Sequence, residues 1–81
     1  MKVEVKLFAG ARQRVGAPSV EIELPDNARV LELREAIAAQ YPALAGALGS
    51  MRFAVDNEYA ADNLLISPAA EVACIPPVSG G

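Results

Sequence analysis

Histidine and tryptophan are absent from this 81-residue chain, and cysteine occurs once. Without histidine there is no Ser-His-Asp arrangement and no imidazole-based metal site. The lone Cys74 excludes a zinc knuckle and an internal disulfide, and it fits a reducing compartment. A reactive thiol wants a neighbouring cation or histidine. The nearest charge in sequence is Glu71, so Cys74 reads as a small buried hydrophobe. Neither a G-x-x-x-x-G-K-[ST] phosphate loop nor a G-x-G-x-x-G turn occurs. No apolar run approaches the roughly 18 residues that cross a bilayer, and Lys2, Glu4 and Lys6 do not read as a signal peptide. A cytoplasmic protein without membrane contact is expected.

Charge narrows the partners further. Seven basic against ten acidic residues give a net charge of −3 and a pI near 4.7. The five arginines, Arg12, Arg14, Arg29, Arg34 and Arg52, are spread along the chain, so phosphate-backbone binding has no electrostatic basis. Nucleic acid is not expected as a partner, and the net charge favours a protein with a basic face. The carboxylate pairs Glu21/Glu23 and Glu32/Glu35 fall on outward strand and helix positions, as solvated faces do, and not in an acid–base site. No self-sufficient active site is visible.

What is present is a foldable pattern. Hydrophobic residues make up 53% of the chain and the mean hydropathy is +0.27, which excludes intrinsic disorder. A chain of this length buries roughly 60–65% of its unfolded surface, enough for one core. Val3, Val5 and Leu7 alternate with charged residues, and Val20, Ile22 and Leu24 do the same, predicting two half-buried strands paired as a hairpin. Between them, residues 9–16 read as a loop holding one helical turn. Pro25-Asp26-Asn27 ends the second strand and offers capping side chains. From about Arg29, Val30, Leu33, Ile37 and Tyr41 form a helical stripe that Pro42 should stop. Leu44 and Leu48 suit a second short turn closed by Gly49. Met51–Val55 reads as a strand, Asp56-Asn57 as a turn, Glu58–Ala60 as a short return strand, and Glu71–Ile75 as the last strand. The order is that of an α+β, β-grasp fold: a mixed sheet with one main helix on one face.

The C-terminus, Pro76-Pro77-Val78-Ser79-Gly80-Gly81, stands apart. Two prolines remove two backbone donors, so a strand cannot continue through them. The expected division is a folded core over residues 1–75 and an extended tail over 76–81, within one domain. Six residues reach about 20 Å. Side-chain-free Gly80 and Gly81 suit a passage too narrow for a Cβ. At an average glycine usage of ~7%, two terminal glycines arise by chance in about 0.5% of chains.

Val5-Lys6-Leu7-Phe8-Ala9, Val30-Leu31-Glu32-Leu33-Arg34, Ala54-Val55-Asp56-Asn57-Glu58-Tyr59 and, most specifically, residues 71–81 resemble the ubiquitin-like sulfur carriers, in particular the small-subunit family of molybdopterin synthase. The likeness covers essentially the whole chain. It departs from the family at Ala69-Ala70, where Gly-Asp is commoner, and at Asp56-Asn57, where Asn-Gly is usual. The resemblance implies that Gly81 is adenylated by a separate E1-like adenylating and sulfurylating enzyme that uses ATP. A persulfide sulfur then displaces AMP to leave a thiocarboxylate. It implies that the tail enters a synthase large subunit and donates sulfur to the dithiolene of molybdopterin, with no cofactor held by this chain. Phe8, Tyr59 and Ile75, with Pro76, Pro77 and Val78, are the expected partner-binding residues, since strand parity turns Phe8 and Ile75 away from the core and Tyr59, just after the Asp56-Asn57 turn, has no obvious place in it. Carriers serving thiamin, tRNA thiolation or cysteine synthesis, ubiquitin-like modifiers, and a plain scaffold domain are the competing readings.

Overall fold

The computed structural model describes residues 1–77. β1 (Lys2–Leu7) and β2 (Ser19–Glu23) form the antiparallel hairpin, with Val3 opposite Ile22 and Val5 opposite Val20. β3 (Arg52–Val55) and β4 (Glu58–Ala60) form a second antiparallel pair. β5 (Val72–Ile75) slots between the pairs, parallel to β1 and antiparallel to β3. The sheet order is β2-β1-β5-β3-β4. The last strand in sequence is thus the central strand in space.

One face of this sheet is the core. Val3, Val5, Leu7, Val20, Ile22, Phe53, Val55, Val72 and Cys74 are all buried. They meet Val30, Leu33 and Ile37 of α2 (Val30–Gln40), Leu44 of α3 (Pro42–Ala45) and Leu48 of a 3₁₀ turn at Leu48–Ser50. No polar or charged side chain is buried among them. The alternation read from the sequence is therefore the in–out alternation of the strands, and α2 stops at Gln40 with Tyr41 as its cap, ahead of Pro42.

Three local expectations are corrected. Residues 9–15 form a two-turn helix, α1 (Ala9–Val15), where a loop with a single turn was expected. It buries Ala11 and closes on Gly16, whose left-handed φ of 80° lets its N–H reach the Arg12 carbonyl. The short side chains of Ala9, Gly10 and Ala11 hide the apolar stripe that would have announced it. Second, Asp26 and Asn27 do not cap α2. Asn27 turns the chain at φ 63°, and Glu32 instead accepts the Arg29 backbone N–H at 2.8 Å. Third, Gly49 lies inside the 3₁₀ turn and does not close it.

The Asp56-Asn57 turn forms despite lacking glycine. Both residues take positive φ, 52° and 69°, which short Asx side chains tolerate. Asp56 also accepts the Glu71 N–H at 3.0 Å, tying this turn to the entry of β5.

Arg34 braces the helical side. Its Nη1 donates to the carbonyls of Leu48 and Met51, the latter at 2.8 Å. Its Nη2 donates to Asp62 at 3.0 Å, and the guanidinium stacks 4.9 Å from the Phe53 ring centre. Arg34→Ala should cost about 2 kcal/mol by urea denaturation, since charged hydrogen bonds to partly buried carbonyls are lost. Lys2→Ala, which removes only the exposed 3.9 Å pair with Glu23, should cost less than about 0.5 kcal/mol.

Cys74 sits in the core with its thiol 3.2 Å from the Met51 sulfur. Burial pushes the thiol up from 9.0 to about 11, with Arg34 pulling the other way. The native state therefore holds a proton that the unfolded chain has released between pH 9 and 11, so stability should fall as pH rises through that window. A thiol-labelling reagent at pH 8 should leave Cys74 unmodified in the native protein and modify it fully in urea.

Candidate functional site

Among the described residues no helix covers the other face of the sheet, and its composition follows from register. Lys6 pairs with Ala73, Ala73 with Ala54, and Ala54 with Tyr59, so these four lie in one row across β1, β5, β3 and β4. One row toward the C-terminal end of β5, Ile75 pairs with Arg52. Two alanines thus form a low floor in the middle, with large side chains around it. Phe8, Tyr59 and Ile75 line the resulting open groove with Ala54, Ala73 and Asn57; its volume is about 330 Å³. A smaller recess of about 120 Å³ continues past Lys6 toward Glu71.

The large residues are exposed. Phe8 is 48% and Tyr59 61% accessible, while Ile75 is half-buried. Phe8 owes its position to the junction after β1. It takes extended geometry and Ala9 a positive φ of 47°, so α1 turns away and leaves the ring outside. An alanine in that left-handed region carries a conformational cost of roughly 1–2 kcal/mol. Tyr59 is held from above by Arg52, whose guanidinium lies 4.0 Å from the ring centre, a cation–π contact across β3 and β4.

β5 leads straight out of this groove. Ile75 closes the strand, and Pro76 and Pro77 follow beside α1, lining a cleft of about 240 Å³ with Gly10, Ala11, Arg14 and Met51. Pro76 is half-buried and Pro77 exposed. Val78, Gly80 and Gly81 lie outside the described residues. Of the residues singled out from the sequence, Phe8, Tyr59 and Ile75 are therefore placed in the groove, and Pro76 and Pro77 on the segment that leaves β5.

The sequence reading missed the floor and the stack. Ala54, Ala73 and Arg52 acquire meaning only through cross-strand register, which no local pattern reveals. A usable signal existed in strand parity, because it turns Ala73 outward with Ile75 and Arg52 outward with Ala54. Among the described residues, no three His, Cys, Asp or Glu side chains converge into a metal site, and no helix is long and apolar enough to cross a membrane.

Comparison with known proteins agrees with this architecture. A molybdopterin synthase sulfur carrier subunit from Caenorhabditis briggsae is 40% identical over 83 residues, covering 100% of this chain and 99% of the relative. The small archaeal modifier protein 1 of Haloferax volcanii has the same ubiquitin-like β-grasp fold, with a TM-score of 0.84, 29% identity and 100% of both chains covered. A complex of subunits 1 and 2 of the molybdopterin-converting factor from Helicobacter pylori contains a chain that matches at a TM-score of 0.69 and 27% identity, again covering 100% of both chains. The ThiS family model matches residues 5–81. The chain belongs to the ThiS family and, within it, to the molybdopterin synthase sulfur carrier subunits.

Proposed function

We propose that this chain carries sulfur as a thiocarboxylate on Gly81 and delivers it to a pterin precursor inside a molybdopterin synthase large subunit. The observation that carries the reading is the continuity of the apolar groove with the route to the C-terminus. A partner gripping Phe8, Tyr59 and Ile75 would hold the root of Pro76–Gly81 in a fixed place, so that about 20 Å of chain reaches into its interior. The family assignment supports the chemistry, and the Helicobacter pylori complex of subunits 1 and 2 supports a large-subunit partner.

The chemistry follows from the terminus. A carboxylate is a poor electrophile and must be activated. Its oxygen attacks the α-phosphorus of ATP, pyrophosphate leaves, and an acyl adenylate forms. A persulfide then attacks the carbonyl carbon and expels AMP, and a second thiol cleaves the resulting acyl disulfide to release the thiocarboxylate. ATP, persulfide and thiol are assigned to an E1-like activating enzyme in the cytoplasm. The dithiolene takes two sulfurs, so two thiocarboxylates are consumed in successive rounds.

Incubation with the activating enzyme, ATP and a sulfur donor should raise the intact mass by one oxygen-to-sulfur exchange localised to Gly81. Modification at Cys74 would refute the assignment. Deleting Gly81 should abolish transfer with little change in melting temperature. Phe8→Asp and Ile75→Asp should each weaken the large-subunit complex by roughly 2 kcal/mol or more, about thirtyfold in Kd, as for buried anchors. Normal titration curves for both would move the docking surface elsewhere.

A second reading rests on the likeness to the Haloferax volcanii modifier protein. In that reading the activated Gly81 is transferred to a lysine amine, forming an isopeptide bond and no thiocarboxylate. The same mass experiment separates the two, because conjugation adds this chain's mass to a target.

A further inference from the structure

The charges of the described residues are segregated along the strand axis. β1 and β5 run parallel, so both end where the chain exits at Pro76, and the antiparallel β3 begins there with Arg52. The opposite end holds five of the ten acids, two of them paired with cations. Glu23 pairs with Lys2, Asp26 with the N-terminus, and Asp56, Glu58 and Glu71 gather at the β3–β4 turn.

At the exit end the balance reverses. Arg14 shares the cleft of about 240 Å³ with Pro76 and Pro77. Arg12 lines a neighbouring recess with Phe8. Arg52 stands beside Ile75 in register and over the Tyr59 ring. None of these three forms a salt bridge among the described residues, whereas Arg34, the other nearby cation, is taken by Asp62. The outward Glu4 on the same flank accepts from Ser19 and has Lys6 as its strand neighbour, so it leaves the arginines unbalanced. A chain of net charge −3 thus exits through three exposed guanidinium groups.

We infer that Arg12, Arg14 and Arg52 form a cationic collar that docks on a protein surface whose apolar slot is framed by aspartate and glutamate carboxylates. The inference deepens the docking reading above and rests on it, because the slot is the large subunit's. It also reverses the expectation from net charge, which favoured a basic partner face. Guanidinium groups suit this task, since their planar forks match carboxylates two bonds at a time. A nucleic acid track fits poorly, because the three cations border separate recesses and stacks on a chain whose net charge is −3. The acidic far end would be repelled by the same partner face, so the molecular dipole turns the tail toward the slot during approach.

The test is the association rate of the full chain with the large subunit, by stopped flow across a salt series from low to roughly 0.5 M, where screening is nearly complete. The wild-type rate should fall about tenfold over the series. Arg12→Gln/Arg14→Gln should lower the low-salt rate about tenfold and flatten the salt dependence. Arg52→Gln, on a strand and independent of any loosening of α1, should lower it in the same direction. Lys2→Gln at the far end should leave the rate unchanged. Wild-type rates in either arginine variant, or equal salt slopes throughout, overturn the collar while leaving the sulfur-carrier reading intact. Absence of any complex with wild-type chain overturns the large-subunit docking reading, and the collar with it.

Discussion

Everything functional in this molecule depends on the parallel pairing of β5 with β1. Val5 meets Val72, Lys6 meets Ala73 and Leu7 meets Cys74, which puts the last strand in the middle of the sheet. A strand at the edge would leave the C-terminal segment hanging from the least stable part of the structure, since edges fray first. Here the segment leaves from a strand hydrogen-bonded on both sides, with Val72 and Cys74 buried beneath it. The segment that leaves β5 therefore starts from the rigid core, with Pro76 and Pro77 as its first residues. The arrangement also makes folding depend on closing a long loop, because the native pairing of β1 and β5 joins opposite ends of the chain.

The same pairing generates the groove proposed for docking. Alternation forces every second residue of β5 to the far face, so Val72 and Cys74 go into the core while Ala73 and Ile75 go out. The two roles cannot be altered independently by shifting the strand, because a one-residue slip would expose Cys74 and bury Ile75. Core and groove share one register, and that register also sets where the tail begins. Neighbouring strands complete the site on the same terms. Ala54 deepens the floor, and Tyr59 raises a wall beside it, braced by Arg52.

How much of this was legible in the sequence depended on the range of the signal. Val3, Val5 and Leu7 announced β1, and Val30, Leu33 and Ile37 announced α2, because periodicity is local and the buried face is continuous. Parity likewise placed Phe8 and Ile75 outside. The helical nature of residues 9–15 was hidden, since Ala11 supplies its only fully buried side chain and alanine adds little to an apolar stripe. The α2 cap was misassigned for a related reason. Asp26 and Asn27 have the right side chains, yet the positive φ at Asn27 spends them on a turn, and the distant-looking Glu32 folds back to Arg29 instead. Parity could turn Ala54 and Ala73 outward but could not show that they form a floor, because a floor is defined by what stands around it.

The residues near the exit also share a chemical property that the proposed reaction requires. An acyl adenylate or thiocarboxylate is open to attack by any neighbouring nucleophile, and a chain that bears one must not consume it. Histidine is absent. The single thiol is sealed in the core, protonated to about pH 11, on the face of β5 opposite the groove. The cations flanking Ile75 and Pro76 are arginines, whose guanidinium groups stay charged and non-nucleophilic where a lysine amine could be acylated. Lys6, the nearer of the two lysine amines on this face, lies in the row behind Ile75, at the level of Ala73. Arginine at the proposed collar would serve two demands at once, giving positive charge for docking without offering a nucleophile to a terminus activated as proposed.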